Sequence, residues 1–490
     1  MAEFTSTRNI LEAADAHRAV VNGLAPDGGL YVPASIPSLP ISDVLSLSYT
    51  ETAKRVLSLM LPSFSYEDIA KSAEEAYLYH FETEQVAPLV KNADAYALEL
   101  FHGETCAFKD VALSILPRLL TRAKKAIGMT DDILILTATS GDTGSAAMNG
   151  FKDVNGTGII VFYPKDGVSE IQQRQMTAMT GNNLTACAVY GNFDDCQSAV
   201  KRMFKSLMPP DGIRLSSANS INIARLAPQI TYYYTAYKTL VNDYHMELGK
   251  EVDFIVPTGN FGDILAGYYA KKMGLPVGKL ICASNANRVL TDFIATGVYD
   301  RRRDFHKTIS PSMDILISSN LERLLFHAEN GDCEIVKRHM EKLSETGMYK
   351  VSESALINIQ SEFMGYTFTD EDTKDEIKKV FSETGYLIDP HTAVGFRAKD
   401  QYLSQNPGRC AVVLSTASPF KFASSVMSAL SLNTDGDAFE KIARLSDFAH
   451  TAPPKAIDKL RNAKILHTDE TSIEKMPEYV YGKAAKLCRA

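Results

Sequence analysis

Residues 133–163 read ILILTATSGDTGSAAMNGFKDVNGTGIIVFY, and this stretch decides the fold. It opens on a short apolar run, Ile133–Ala138, and turns through Thr139, Ser140, Gly141, Asp142, Thr143 and Gly144. Apolar residues then recur at helical spacing over Thr143–Phe151, and a second apolar run follows at Gly158–Tyr163. Short runs that barely alternate suit strands buried on both faces of a parallel sheet. The same order recurs along the chain. Further runs lie at Leu184–Tyr190, Phe254–Val256, Leu280–Ala283 and Ala411–Leu414, with helical stretches at Ser169–Thr180, Phe193–Leu207 and Ile264–Met273. Strand-then-helix repetition predicts an α/β fold built on mostly parallel sheet.

The chain before residue 95 has a different pattern. Asp27–Pro33 reads as a turn into a short extended piece, and Ser42–Leu61 and Tyr66–Glu84 carry helical spacing. A small, mainly helical domain over residues 1–95 is expected, with Ala87-Pro88-Leu89 near its boundary. The remainder divides into a large α/β domain, residues 96–114 and 209–490, and a smaller one, residues 115–208, carrying the Ser140–Gly144 turn. The tail from Asp447 onwards is helical in pattern, and Pro117 should kink or end the helix it sits in.

A chain of 490 residues exceeds one compact core. Its 45% hydrophobic and 22% charged content is ordinary for a globular protein. A net charge of −8 argues against a nucleic-acid partner, which favours a basic face. Seven scattered cysteines without a C-x-x-C pair suit a reducing compartment and offer no metal cluster. The first residues, MAEFTSTRNI, lack a basic segment followed by an apolar one, so no secretory signal is expected. No apolar run approaches the roughly 20 residues that span a bilayer. A cytoplasmic protein with no membrane association is expected.

The residue most suggestive of chemistry is Lys109, in the run LFHGETCAFKD over residues 100–110. A lysine held among aromatic and small residues at a helix start can lose its proton, because desolvation penalises the ammonium form. The neutral amine can then form an imine with an aldehyde cofactor. Three loops after apolar runs can hold anions. Ser140, Asp142 and Thr143 combine hydroxyls with amides at a helix start, which suits a carboxylate or phosphate; an ordinary turn capped by Ser140 or Asp142 fits equally. The loop Pro257–Asp263 has Gly259 and Gly262 three apart, lacks both the P-loop and the dinucleotide fingerprints, and reads alternatively as a turn capped by Asp263. Ser415–Pro419 offers a hydroxyl to a weakly basic ring nitrogen, or is a simple turn. Asn219, Ser220, Asn222 and Arg225 could hold an oxyanion or open a helix. Asp389-Pro390-His391 starts a helix well, and capping suffices to explain it.

Taken in order, these strings resemble the threonine synthase family of pyridoxal-phosphate enzymes, fold type II. The matching segments are FHGETCAFKD, LTATSGDTGSAA, YPKDGVSEIQQRQM, GNFDDCQ, NSINIARL, VPTGNFGDILAGYYAKKMGLP, MDILISSNLERLL, DPHTAVG and STASPFKF, spanning residue 101 to about 422. FTSTRN and DGGLYVPASIP are similar to the amino-terminal domain of the longer bacterial and fungal subgroup. The resemblance implies that Lys109 carries pyridoxal 5'-phosphate, that Gly259, Asn260, Phe261 and Gly262 bind the cofactor phosphate, and that Thr416 faces the pyridine nitrogen. It implies further that Ser140, Asp142 and Thr143 lie beside the substrate carboxylate, with Asn219, Ser220, Asn222 and Arg225 at the substrate phosphate. The implied reaction converts O-phosphohomoserine and water to L-threonine and phosphate, by a monomer or homodimer. Three positions depart from the family pattern: Glu104 where proline is common, and Ser418 and Phe420 where many members have His and Ala. A phospho-lyase of the same fold releasing 2-oxobutanoate is the alternative. A dehydratase would not need the 219–225 segment or the amino-terminal domain, and a non-catalytic scaffold would not need Lys109.

Overall fold

The computed structural model describes residues 3–488. Two sheets dominate it. A six-stranded sheet runs in the order Phe363–Thr367, Val277–Ser284, Val252–Pro257, Cys410–Ser415, Ala95–Glu99, Leu89–Asn92, parallel throughout except for its last strand. A five-stranded, fully parallel sheet runs Asp469–Ser472, Leu184–Tyr190, Thr157–Pro164, Asp132–Ala138, Ile213–Ser216. Strand Thr157–Pro164 is buried at every residue, as its continuous apolar run requires.

Each apolar run singled out above lies on one of these strands, extended by at most a few residues. The outer strands Ile213–Ser216 and Asp469–Ser472 of the five-stranded sheet fall outside residues 115–208, so that sheet draws on more of the chain than the span assigned to the small domain. The tail is also not purely helical. Its strand Asp469–Ser472, DETS, has no apolar pattern and exists only through pairing with Leu184–Tyr190.

Helix Lys109–Ala126 continues past Pro117 rather than ending there. Proline at this position removes an N–H bond to the carbonyl of Leu113. The backbone of Gly150 packs on that carbonyl so closely that a Cβ there would lie 2.0 Å from the oxygen. The neighbouring helix thus shields what the proline leaves open.

The amino-terminal region holds helices Ala16–Asn22, Tyr49–Met60 and Tyr66–Tyr77 with a small antiparallel sheet, Ala13–Ala14, Phe4–Ser6, Tyr31–Pro33. It is tied to the rest by an Arg8–Glu322 pair at 2.8 Å and by the fully buried Arg323, whose Nε donates to the Tyr31 carbonyl at 2.9 Å. Arg323 also donates to Asn320 Oδ1 at 2.6 Å, and Asn320 Nδ2 donates to the Asn260 carbonyl at 3.2 Å. The amino-terminal region therefore reaches the 259–262 loop through two side chains.

Candidate active site

Three adjacent parallel strands, Val252–Pro257, Cys410–Ser415 and Ala95–Glu99, release their following loops at the same edge of the six-stranded sheet. This carboxyl edge is where open α/β sheets bind ligands. The loop after Ala95–Glu99 is fastened to its neighbour by Leu100 N–H to the Ser415 carbonyl and Phe108 N–H to the Thr416 carbonyl, each at 2.9 Å. It delivers Lys109 as the first residue of its helix. From the facing five-stranded sheet, the turn after Asp132–Ala138 delivers Asp142.

The Lys109 side chain keeps 13% of its surface, and its Nζ lies 3.5 Å from Asp142 Oδ2, 3.4 Å from Ser312 Oγ and 5.0 Å from the centre of the Phe108 ring. Burial lowers the proton affinity of this amine, Asp142 opposes the effect, and Lys421 and Arg225 add to it. Asp142 is itself buried. Burial would raise its carboxyl, but Lys421 and Lys109 outweigh that and hold it well below the usual range. Lys421, with a side chain fully out of solvent, lies 2.7 Å from Asp142 Oδ1 and donates to the Thr105 carbonyl at 2.7 Å. Gln172 Nε2 donates to Asp142 Oδ1 at 2.9 Å, and Ser312 Oγ donates to Oδ2 at 3.0 Å.

Neither Ser140 nor Asp142 caps the helix that starts here. The Thr139 hydroxyl accepts the N–H groups of Gly141 and Gly144, both at 2.9 Å. The Ser140 and Thr143 side chains stay half-exposed, with no hydrogen-bond partner among the described residues. Asp263 does not cap its helix either. Phe261 takes the cap position in the left-handed region, at φ 62°, with no side-chain bond. The Asp263 carboxylate instead accepts the hydroxyls of Tyr232 and Tyr233 at 2.5 and 3.0 Å, and burial pushes it up to about 6.

The 259–262 loop is set by its backbone. Ser318 Oγ donates to the Gly259 carbonyl at 2.9 Å, and a Cβ on Gly259 would stand 2.7 Å from the Ser312 carbonyl oxygen. Asn260 is exposed. Ser220 lies across from Gly262, accepting from Asn320 Nδ2 at 3.1 Å, and Asn219 is half-buried with a free side chain. Arg225 is 3% exposed, donates one nitrogen to the Ala218 carbonyl and, among the described residues, has no carboxylate partner and leaves Nε unpaired. Burial pushes its guanidinium down to about 10. A buried cation without a counter-charge is costly, and a ligand anion would offset that cost. Asn222 differs from its neighbours. Its Oδ1 caps Ala224 N–H at 2.9 Å and its Nδ2 donates to the Val20 carbonyl at 2.8 Å, so its side chain is committed to folding contacts.

Thr416 is buried, with a hydroxyl that has no partner among the described residues. Ser418 Oγ is buried and unpaired, Phe420 is core, and Glu104 faces outward to pair with His80 at 3.3 Å. Three groups near Lys109 had little or no sequence signal. Lys421 sits inside an apolar run, Pro419-Phe420-Lys421-Phe422, and that incongruity was its only mark. Ser312 had none. His391 does more than follow a cap: its Nε2 accepts the Ser312 N–H at 3.1 Å, so Nδ1 carries the proton toward Asp389 Oδ1 at 2.6 Å. Among the described residues, no group of three or more His, Cys, Asp or Glu side chains could hold a metal ion.

A family model described as pyridoxal-phosphate dependent enzyme matches residues 84–416. Fold and site define an enzyme of that class, fold type II, with pyridoxal 5'-phosphate as its cofactor. Models described as threonine synthase N terminus and threonine synthase, C-terminal match residues 3–77 and 392–467. The threonine synthase of Pseudomonas aeruginosa is 41% identical over 433 residues, 86% of this chain and 89% of that protein. The PLP-bound threonine synthase structure from Brucella melitensis superposes with a TM-score of 0.88 at 38% identity, covering 100% of both chains. That of yeast gives 0.89 at 34% identity, covering 99% of each. The chain belongs to the threonine synthase family and is a PLP-dependent lyase.

The residues present fit the cofactor. A buried lysine of lowered proton affinity, a helix start without a side-chain cap beside Gly259–Gly262, and the unpartnered hydroxyl of Thr416 supply an amine, a phosphate cradle and a ring contact.

Proposed function

We propose that this chain converts O-phosphohomoserine and water to L-threonine and inorganic phosphate. The observation that supports it best is a buried lysine in contact with Asp142 of the hydroxyl-rich 139–144 turn and electrostatically coupled to Arg225, a buried cation without a counter-charge among the described residues. A substrate carrying both a carboxylate and a phosphate would use both kinds of anion acceptor.

Lys109 would hold the cofactor, the 259–262 backbone its phosphate, and Thr416 its ring nitrogen. When bound, the cofactor supplies an electron sink for charge developing at the substrate Cα. As the neutral amine, Lys109 would take the Cα proton and then the Cβ proton, and would return protons to Cγ and Cα. Arg225, Ser220 and Asn219 receive the phosphate as it leaves Cγ, and water adds at Cβ. Asp142, held by three donors besides Lys109, keeps the amine aimed.

The body built on the five-stranded sheet, which takes in the outer strands Ile213–Ser216 and Asp469–Ser472 as well as residues within 115–208, is proposed to close against the six-stranded sheet on the substrate carboxylate. A cytoplasmic location is proposed on seven scattered cysteines without a C-x-x-C pair, and no helix among the described residues is long and apolar enough to cross a membrane. Assembly as a monomer or homodimer belongs to the same proposal.

The test is to incubate the holoenzyme with O-phosphohomoserine and quantify threonine, phosphate and 2-oxobutanoate together. Threonine equal to phosphate is expected. Phosphate with 2-oxobutanoate and no threonine would overturn the reading in favour of a phospho-lyase.

A further inference from the structure

The Asp142 carboxylate faces two buried lysine nitrogens. Lys421 holds Oδ1 at 2.7 Å, and Lys109 approaches Oδ2 at 3.5 Å. The shorter contact is the fully desolvated one, and Lys421 Nζ is also anchored to the Thr105 carbonyl at 2.7 Å. The pair crosses between the two sheets, with Asp142 after strand Asp132–Ala138 and Lys421 after strand Cys410–Ser415. A lysine paired with a buried carboxylate of its own would keep its proton, and would be a poor nucleophile and base. Something must neutralise Asp142 before Lys109 can rest as an amine.

We propose that Lys421 is a positioning residue of the active site, which takes up the charge of Asp142 so that Lys109 stands as the neutral amine. The charge count supports this. The groups facing Lys109 are Asp142, Lys421 and Arg225, with Asp263 below the phosphate loop. With Lys421 in place, a proton on Lys109 would add a third positive charge around one ionised carboxylate in a dry pocket. Without it, Lys109 becomes the only ammonium in contact with Asp142. Burial and Lys421 both act to lower the proton affinity of Lys109, while Asp142 alone opposes them strongly. The inference rests on Lys109 being the reactive amine, but its test does not depend on turnover or product.

The full-length chain, freed of cofactor, is trace-labelled with acetic anhydride between pH 6 and 10. Peptide mass spectrometry compares Lys109 with the exposed Lys125 as internal reference. Lys421→Met should raise the midpoint of Lys109 labelling by about one pH unit or more, a tenfold or greater fall in neutral amine below that midpoint. Lys421→Arg, which keeps the charge, should restore it most of the way. Asp142→Asn should move the midpoint the other way. An unmoved midpoint in folded Lys421→Met, checked by a thermal melt, would overturn the proposal and reduce Lys421 to a strut for Thr105. Should Lys421→Met fail to fold, an unmoved or raised midpoint in Asp142→Asn would overturn it instead.

Discussion

Two kinds of helix start share this molecule. Helices Tyr49–Met60, Phe193–Ser206, Asp370–Thr384 and Ala438–Ala449 each begin with a reciprocal capping box, in which a side chain closes on the first-turn N–H groups. The three helices that bound the candidate site, Lys109–Ala126, Asp142–Phe151 and Gly262–Lys272, begin on Phe108, Gly141 and Phe261 with no side-chain cap bond from that position. An open start is not diagnostic alone, since Ile230–Asn242 merely continues a preceding 3-10 turn. In two of the site helices the first-turn acid is turned elsewhere: Asp142 faces Lys421 and Asp263 faces two tyrosines, so neither carboxylate occupies the positive end of its own helix dipole. In the third, Asp110 instead accepts the Thr105 N–H at 2.9 Å ahead of the helix. The uncapped starts of Asp142–Phe151 and Gly262–Lys272 leave first-turn donors open to anions that are not part of the chain.

The strongest break of this contrast is at Lys109. Lys109→Ala should reduce turnover by about 10³-fold or more, since it removes both nucleophile and base. Borohydride reduction followed by peptide mass spectrometry should then find no cofactor fixed to the chain. Cofactor attached elsewhere with activity retained would end the assignment.

A smaller effect is expected at Asp263. Its native proton affinity, near pH 6 by burial, exceeds the unfolded value of 3.8, so its contribution to stability is full below about pH 4 and is lost as pH rises through about 6. At neutral pH the buried anion costs the fold up to about 3 kcal/mol. Asp263→Asn keeps the acceptor for Tyr232 and Tyr233 without that charge. Its melting temperature should therefore gain on the parent between pH 5 and pH 8. A constant gap across that range would show that Asp263 is not destabilised by ionisation.

The smallest effect concerns a capped start far from the chemistry. Ser48 accepts the Glu51 N–H at 3.2 Å and Glu51 returns the bond at 3.0 Å. Ser48→Ala should cost about 1 kcal/mol in denaturant unfolding and leave kcat and KM unchanged. A change in KM would mean that the two kinds of helix start are not separable.

Much of this was readable in the chain. Unalternated apolar runs marked the inner strands, because strands covered on both faces need no polar side. Small-residue turns after them marked the loops, and Asp389-Pro390 marked a helix start that the structure shows as written. Strand Asp469–Ser472 was not readable, since an edge strand of polar residues owes its conformation to the partner alone. For Asn222 the sequence left open an oxyanion contact or a helix start; the structure shows the start, and its second bond, to the Val20 carbonyl 202 residues away, had no local signal.

The sequence by itself determined the α/β architecture, which rests on local periodicity, and marked Lys109 and the loops around it as candidates through turn chemistry, residue type and a family resemblance. Only the tertiary structure decided how charge is distributed there. Ser312 meets Lys109 from 203 residues away, and Lys421 reaches Thr105 across 316. Proton affinity in a dry pocket depends on which charges lie within a few ångströms, and no local pattern in a chain records that.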